Sequence, residues 1–120
     1  MANRHLSRSV ILQTLFEWDF NNGSVDIKTA LKRNTDEFAP GHDDDAFMEA
    51  LTEQTLKKQK VIDEIIEKAA PEWPIGKINV VDRNVLRLGL SELLFSDRDQ
   101  VPPKVAINEA IELAKMFGGE

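Results

Sequence analysis

The most constraining feature of this sequence is the stretch from residue 79 to residue 95, which is apolar on more than one helical face. Its apolar members include Val81, Val85, Leu86, Leu88, Leu90, Leu93, Leu94 and Phe95. A helix that is apolar on several faces needs neighbours on several sides, so this segment should be central to the fold. Gly89 in its middle costs about 1 kcal/mol relative to Ala, which predicts a close approach by another backbone.

Length and composition set the class of protein. A chain of 120 residues forms one domain or two small subdomains, and its core needs neither a metal nor a disulfide. It has no cysteine, which excludes thiol catalysis and thiolate zinc sites and fits a cytoplasmic location. No apolar run approaches the roughly 18 residues of a membrane helix, so no membrane association is expected. The net charge of −6 disfavours nonspecific nucleic-acid binding but permits a small basic patch.

Five further segments carry helical patterns. Amphipathic spacing predicts helices over 6–20 and 27–38, a third that begins near residues 43–45, a fourth over 61–69 and a last over 104–117. Pro102 and Pro103 should open the last helix, and Gly118 and Gly119 should close it. Trp73, with Ile75 and Ile78, should pack beneath the central helix. No segment alternates with period two, so the prediction is an all-α fold of six helices.

The sequence does not favour an enzyme. His5 and His42 fall on different elements and lack ligand spacing, and there is no glycine-rich phosphate loop or nucleophile motif. His42 beside residues 43–45 (DDD) could hold a metal, but a solvated acidic helix start explains the same residues. Glu109 and Glu112 have no histidine partner and are a weak acid–base signal. We therefore expect no catalysis, no metal and no cofactor.

Two kinds of binding remain open from the residues alone. Arg4, His5 and Arg8 cluster at the start of the first helix, where side chains and backbone N–H groups can hold phosphate together. Phe16 and Trp18 lie two residues apart on one helix, so they cannot share a narrow core stripe. One of them is expected either at a partner-binding surface or between two bundles. An acidic face over 36–54 is explained by solvation or by a basic partner.

Three segments within the last forty residues form one pattern: residues 81–88 (VDRNVLRL), 91–94 (SELL) and 101–118 (VPPKVAINEAIELAKMFG). Together they resemble the bacterial antitermination factor NusB family. The first helix agrees, because Arg8 precedes residues 13–18 (QTLFEW), where the family has an arginine followed by a Gln-x-Leu-aromatic segment. The likeness extends along the chain and is densest at 4–20 and 73–118.

The resemblance implies a single NusB-like domain built from two three-helix bundles, at about 1–70 and 71–120. It also implies a non-catalytic role in ribosomal RNA transcription. Members of this family pair with a small-subunit ribosomal protein, NusE, and the pair binds the boxA element of nascent RNA. The RNA then enters an antitermination complex on RNA polymerase.

Carried over by position, the resemblance implies two sets of functional residues. The residues matched to RNA contact are Arg4, His5 and Arg8, with Lys104 a weaker candidate. The residues matched to the ribosomal-protein partner are Phe16 and Asp82. Two alternatives keep a helical fold: an RNA-binding domain related to those of ribosomal RNA methyltransferases, and a helical adaptor that does not bind RNA.

Two departures from the family pattern carry expectations of their own. The N-terminal segment has fewer basic residues than is usual, so RNA binding without the partner should be weak. The family continues beyond its Phe-Gly pair into another helix, whereas this sequence stops at Glu120. We therefore expect an exposed apolar face around Val85 and Leu88 and either a homodimer or a repacked C-terminal bundle.

Overall fold

The computed structural model describes residues 3–72 and 74–117 and contains six α-helices in that part of the chain. They are α1 (Arg4–Phe20), α2 (Ile27–Phe38), α3 (Asp45–Lys57), α4 (Gln59–Ala69), α5 (Val80–Phe95) and α6 (Pro103–Phe117), with a 3-10 turn at Ile75–Lys77 before α5. The described residues include no strand, and the prediction of an all-α fold with six helices is confirmed. The predictions about Trp73, Gly118 and Gly119 fall outside the described residues.

The chain divides into two compact units, one ending at Glu53 and the other beginning at Gln54, so the division falls within α3. The predicted bundle boundary near residue 70 stays a prediction. In the first unit α1 packs on α2, and the largest buried apolar side chains of α1 are Ile11, Leu12 and Leu15. Buried contacts from α3 in this unit come from Met48 and Leu51.

The start of α1 is set by Asn3, whose side chain accepts a hydrogen bond from the Leu6 backbone N–H at 3.1 Å. The helix therefore begins two residues before the predicted position, with Arg4 and His5 inside its first turn. An N-cap asparagine satisfies a donor that the first turn otherwise leaves unpaired. This cap is what places the basic residues on a regular helix.

The start of α2 is capped by a charged residue. The Asp26 carboxylate accepts from the Thr29 hydroxyl at 2.5 Å and from the Thr29 backbone N–H at 3.2 Å. These two hydrogen bonds, the hydroxyl first, lower the pKa of Asp26. Further along α2, the buried Asn34 amide donates to Thr14 Oγ1 at 3.1 Å and ties the two helices together.

In the second unit α5 packs against both α4 and α6, as expected for a central helix. A Cβ added at Gly89 would lie 2.9 Å from the Ala110 Cβ of α6, so the close neighbour is a side-chain methyl and not the backbone that the sequence predicted. The prediction that Val85 and Leu88 form an exposed face is wrong, because they are only 5% and 1% exposed. Both side chains lie in the core, and the exposed leucines of α5 are Leu86 and Leu94.

A buried ion pair joins α4 to α5. Arg87 donates from Nε to Asp63 Oδ1 at 2.9 Å and from Nη2 to Asp63 Oδ2 at 3.0 Å. Its Nη1 donates to Asn84 Oδ1 at 3.2 Å. The Arg87 side chain is 7% exposed and that of Asp63 is 18% exposed. A planar guanidinium that meets a carboxylate through two parallel bonds is the strong form of an ion pair.

Candidate nucleic-acid interface

Arg4 lies in the first turn of α1 and is held from two directions. Its Nε donates to Asp44 Oδ2 at 3.0 Å, with Oδ1 at 3.3 Å. Its Cζ lies 3.9 Å from the centroid of the Phe47 ring, within the range of a cation–π contact. The side chain is nevertheless 48% exposed. Arg4 is therefore an oriented cation at the surface of the first unit.

Arg8 lies one turn further along α1 and faces the same aromatic ring. Its Cζ is 5.4 Å from the Phe47 centroid, but the residue is only 4% exposed. His5 lies between the two arginines in sequence and is half-buried. The structure thus brings Arg4 and Arg8 together on Phe47, with Arg4 outermost.

Asp44 is the residue that sequence reasoning missed. Its backbone carbonyl accepts from the Met48 N–H at 3.0 Å, which is the geometry of a residue just before α3. Its side chain, however, turns toward α1 and is 6% exposed. The Ser7 hydroxyl donates to Asp44 Oδ2 at 2.5 Å. The sequence predicted a solvated acidic helix start here, and for Asp44 that prediction is wrong because α1 covers the carboxylate.

His42 completes this network from the loop before α3. Its Nε2 lies 2.8 Å from the Ser7 hydroxyl oxygen. The hydroxyl has a single hydrogen, and its shortest contact is the one with Asp44 at 2.5 Å, with the Asn3 carbonyl at 3.2 Å. If the hydrogen is donated to Asp44, the Ser7 oxygen accepts from His42 Nε2. The imidazole is thus engaged in a hydrogen bond, and the described residues hold no cluster of three potential metal ligands. The metal interpretation of His42 has no support from this geometry.

Lys104 belongs to the second unit, in the first turn of α6. The helix begins at Pro103, and the Pro102 carbonyl accepts from the Ala106 N–H at 3.1 Å, so the two prolines open α6 as predicted. The Lys104 side chain is exposed. The role of Lys104 in phosphate contact stays a prediction, and it concerns a residue of the second unit.

Phe16 is the exposed member of the aromatic pair that the sequence left undecided. It is 36% exposed and stacks on Phe20, which is 66% exposed, with ring centroids 5.7 Å apart. Trp18 is half-buried and approaches the tight turn after α1, where a Cβ at Gly23 would lie 3.4 Å from the indole. Two adjacent exposed aromatic rings are the side chains that protein partners most often use as anchors.

Asp82 lies in the first turn of α5, in the second unit, and is exposed. Its backbone N–H donates to the Asn79 side chain at 3.3 Å, as part of the cap of α5. A carboxylate in the first turn of a helix is stabilised by the helix dipole and needs no partner of its own. Its surface is therefore available to a donor from another protein.

The described residues form an all-helical protein whose first unit carries an oriented arginine and a pair of exposed, stacked aromatic rings. The NusB family model matches residues 5–120. A transcription antitermination protein NusB from Desulfitobacterium hafniense is 43% identical over 118 residues, which are 98% of this chain and 78% of that protein. The chain therefore belongs to the NusB family.

Solved structures agree with this assignment. The structure of T. maritima NusB superposes with a TM-score of 0.84 at 32% identity, covering 98% of this chain and 80% of that one. A crystal structure of antitermination factors NusB and NusE with dsRNA gives a TM-score of 0.80 at 26% identity, covering 95% and 82% of the two chains. These relatives are named as a transcription antitermination protein and as antitermination factors.

Proposed function

We propose that this chain is a transcription antitermination factor that pairs with NusE and binds RNA. The observation that carries the proposal is the whole-chain match to NusB proteins, including one solved together with NusE and double-stranded RNA. We further propose that the RNA is the boxA element of nascent ribosomal RNA. The complex would then join RNA polymerase in the cytoplasm.

The proposed RNA-binding surface of the first unit is centred on Arg4, with His5 and Arg8 beside it. Arg4 supports this role because nearly half of its side chain is exposed while its orientation is fixed. Arg8 is buried against Phe47, so its contribution is the local positive potential and the shape of the surface. A surface with so few exposed cations makes few phosphate contacts, and RNA binding without a partner is expected to be weak.

NusE contacts are proposed in both units, with Phe16 as the main residue of the first unit and Asp82 as the residue of the second. In the first unit, Phe16 and its stacked neighbour Phe20 form an exposed aromatic surface. In the second unit, Asp82 offers an exposed carboxylate at the start of α5. An aromatic anchor with a charged contact is a common composition for a protein interface. Lys104 is proposed as an additional phosphate contact from the second unit.

A homodimer is a separate proposal. Several apolar side chains of α5 and α6 are exposed by about two-fifths to one-half, among them Leu86, Leu94, Ile107 and Ile111. Grouped apolar surface favours association. Sedimentation velocity over a wide concentration range tests this: a sedimentation coefficient that rises with concentration supports the dimer, and a constant monomer contradicts it.

None of the described helices is long and apolar enough to span a membrane.

The function is tested by titrating labelled boxA-type RNA with the protein, with and without NusE, beside a scrambled RNA of equal length. We expect NusE to tighten binding and to make it depend on the RNA sequence. Equal affinity for boxA and scrambled RNA in the presence of NusE would contradict the boxA proposal. An absence of RNA binding with intact NusE pairing would favour the helical adaptor without RNA binding.

The partner surface is tested by Phe16→Ala, with Phe38→Ala as the matched control. Phe38 is an exposed phenylalanine on α2 that is 47% exposed, and the proposal gives it no role. Phe16→Ala should weaken NusE binding by about tenfold, as expected for loss of an aromatic anchor worth more than about 1 kcal/mol. Equal effects of the two variants would place the NusE contact elsewhere.

A further inference from the structure

The outermost arginine of the proposed RNA surface is paired with a carboxylate of its own chain. Asp44 carries a negative charge within hydrogen-bond distance of Arg4, and a negative charge near RNA repels phosphate. If electrostatics alone decided the affinity, Asp44 would oppose RNA binding. Its surroundings indicate a different role.

The Asp44 carboxylate is embedded in the first unit. Only 6% of its side chain is exposed, and Ser7, which is fully buried, donates to Oδ2 at 2.5 Å. The Ser7 oxygen also lies within hydrogen-bond distance of His42 Nε2, at 2.8 Å. A buried carboxylate is costly unless donors satisfy it, and this one has donors from α1 on one side and support from the loop before α3. The carboxylate is therefore a fixed point.

The Arg4 guanidinium contacts the Asp44 carboxylate with one edge and the Phe47 ring with its flat face. The edge contact uses Nε, which is one of the five N–H donors of a guanidinium. The face contact is the 3.9 Å approach to the Phe47 ring. These two contacts define both the position and the plane of the guanidinium. Because the side chain is 48% exposed, its remaining donors can reach a phosphate from solvent.

We propose that Asp44 and Phe47 are positioning residues that hold Arg4 in the orientation in which it binds an RNA phosphate; this inference rests on the proposed function. A long side chain that is already ordered loses less conformational entropy when it binds. The gain from this order outweighs the repulsion that the Asp44 charge exerts on RNA, since the carboxylate is buried and the guanidinium paired with it is half-exposed.

The test uses the sign of an affinity change. Asp44→Asn removes one negative charge and keeps the shape of the side chain, and Asp43→Asn removes the same charge from the exposed neighbouring residue. Electrostatics alone predicts that both variants bind RNA more tightly. Positioning predicts that Asp44→Asn binds about fivefold more weakly, a factor that corresponds to ordering one long side chain, while Asp43→Asn binds equally or slightly more tightly.

Two further variants separate positioning from a loss of folded protein. Phe47→Leu keeps an apolar side chain but removes the ring, and Arg4→Lys keeps the charge but loses the planar group that stacks on the ring. Both should weaken RNA binding and leave NusE binding unchanged. In an Arg4→Ala background, Asp44→Asn should cause no further loss, because the residue it positions is absent.

All titrations use the complete chain with NusE and boxA-type RNA, and circular dichroism verifies the fold of each variant. The inference is supported if Asp44→Asn weakens RNA binding while Asp43→Asn does not, and if Asp44→Asn causes no further loss when it is combined with Arg4→Ala. Equal behaviour of Asp44→Asn and Asp43→Asn, or a loss that persists without Arg4, overturns it while the proposed function stands. A wild-type complex that binds no RNA overturns the proposed function and this inference together.

Discussion

Two arginine–aspartate pairs, one in each compact unit, divide exposure in opposite ways. In the pair of Arg87 and Asp63, the arginine side chain is 7% exposed and donates to Asp63 and Asn84 of its own unit. In the pair of Arg4 and Asp44, the carboxylate is 6% exposed and the arginine is 48% exposed. The first pair uses the guanidinium as a brace between helices. The second uses the carboxylate as an anchor for a cation that faces solvent.

The same kind of ion pair can support either stability or ligand binding, depending on which of its two side chains is buried. A guanidinium that is buried and bound through two parallel bonds has little capacity left for a ligand, and its removal leaves a buried charge unpaired. A guanidinium held by Nε and by a ring face keeps donors for a ligand, and after its removal the Asp44 carboxylate still accepts from the Ser7 hydroxyl. The first pair should therefore matter for stability, and the second for RNA binding.

The largest effect is expected from Asp63→Ala, which removes both carboxylate oxygens that accept from Arg87. This variant should lower the free energy of unfolding by about 3 kcal/mol, as expected when one partner of a buried ion pair is removed. Urea denaturation followed by circular dichroism measures it. The control is Glu64→Ala at the exposed neighbouring position, which should change stability by less than about 0.5 kcal/mol. A loss for Asp63→Ala as small as the control would show that the pair is no brace.

The next effect concerns the packing of α5 on α6 in the same unit. Gly89→Ala gains about 1 kcal/mol of helix propensity, but overpacking against Ala110 at 2.9 Å costs about 1–3 kcal/mol, so net destabilisation is expected. Ala110→Gly in the same chain should remove the clash. Gly76→Ala, where an added Cβ meets nothing within 4 Å, is the control. The Tm values of wild type, Gly89→Ala, Gly89→Ala with Ala110→Gly, and Gly76→Ala are measured by thermal unfolding. A higher Tm for Gly89→Ala than for wild type would contradict the tight contact between α5 and α6.

A smaller effect on stability is expected from Arg4→Ala. The pair it breaks has one half-exposed member, and such surface pairs contribute about 0–1 kcal/mol. Urea denaturation of this variant beside Asp63→Ala compares the two regions directly. If Arg4→Ala and Asp63→Ala lower the free energy of unfolding equally, the two ion pairs do not differ in their contribution to stability.

The smallest effect concerns pH and the caps of the two units. Asp26 caps α2 as a carboxylate with a lowered pKa, so the stability it contributes is present above the unfolded value of 3.8 and is lost as the pH falls through the folded value. The difference in Tm between wild type and Asp26→Ala should therefore shrink in acid. Asn79→Ala at the neutral cap of α5 is the control, with a difference that does not depend on pH. Parallel pH profiles for the two variants would contradict this account of Asp26.

Much of the fold follows from local sequence patterns, and the site follows from them only in part. Helix positions were predictable because apolar spacing and proline signals act within a few residues, although the Asn3 cap starts α1 earlier than the apolar pattern alone indicates. The contact between Arg4 and Asp44 spans forty residues, and no local pattern encodes it. Val85 and Leu88 were expected to be exposed from a family comparison, whereas the packing of the second unit buries them.

The proposal that Arg4 binds an RNA phosphate is tested most directly by the salt dependence of RNA binding. Wild type and Arg4→Ala are compared, each saturated with NusE. If Arg4 holds a phosphate, the slope of log Kobs against log salt concentration should be shallower in the variant by about 0.7–0.9, the value for one lost contact. Arg98→Ala, which removes an exposed arginine from the loop before α6, should keep the wild-type slope. Parallel lines for wild type and Arg4→Ala would contradict the claim that this oriented arginine binds RNA.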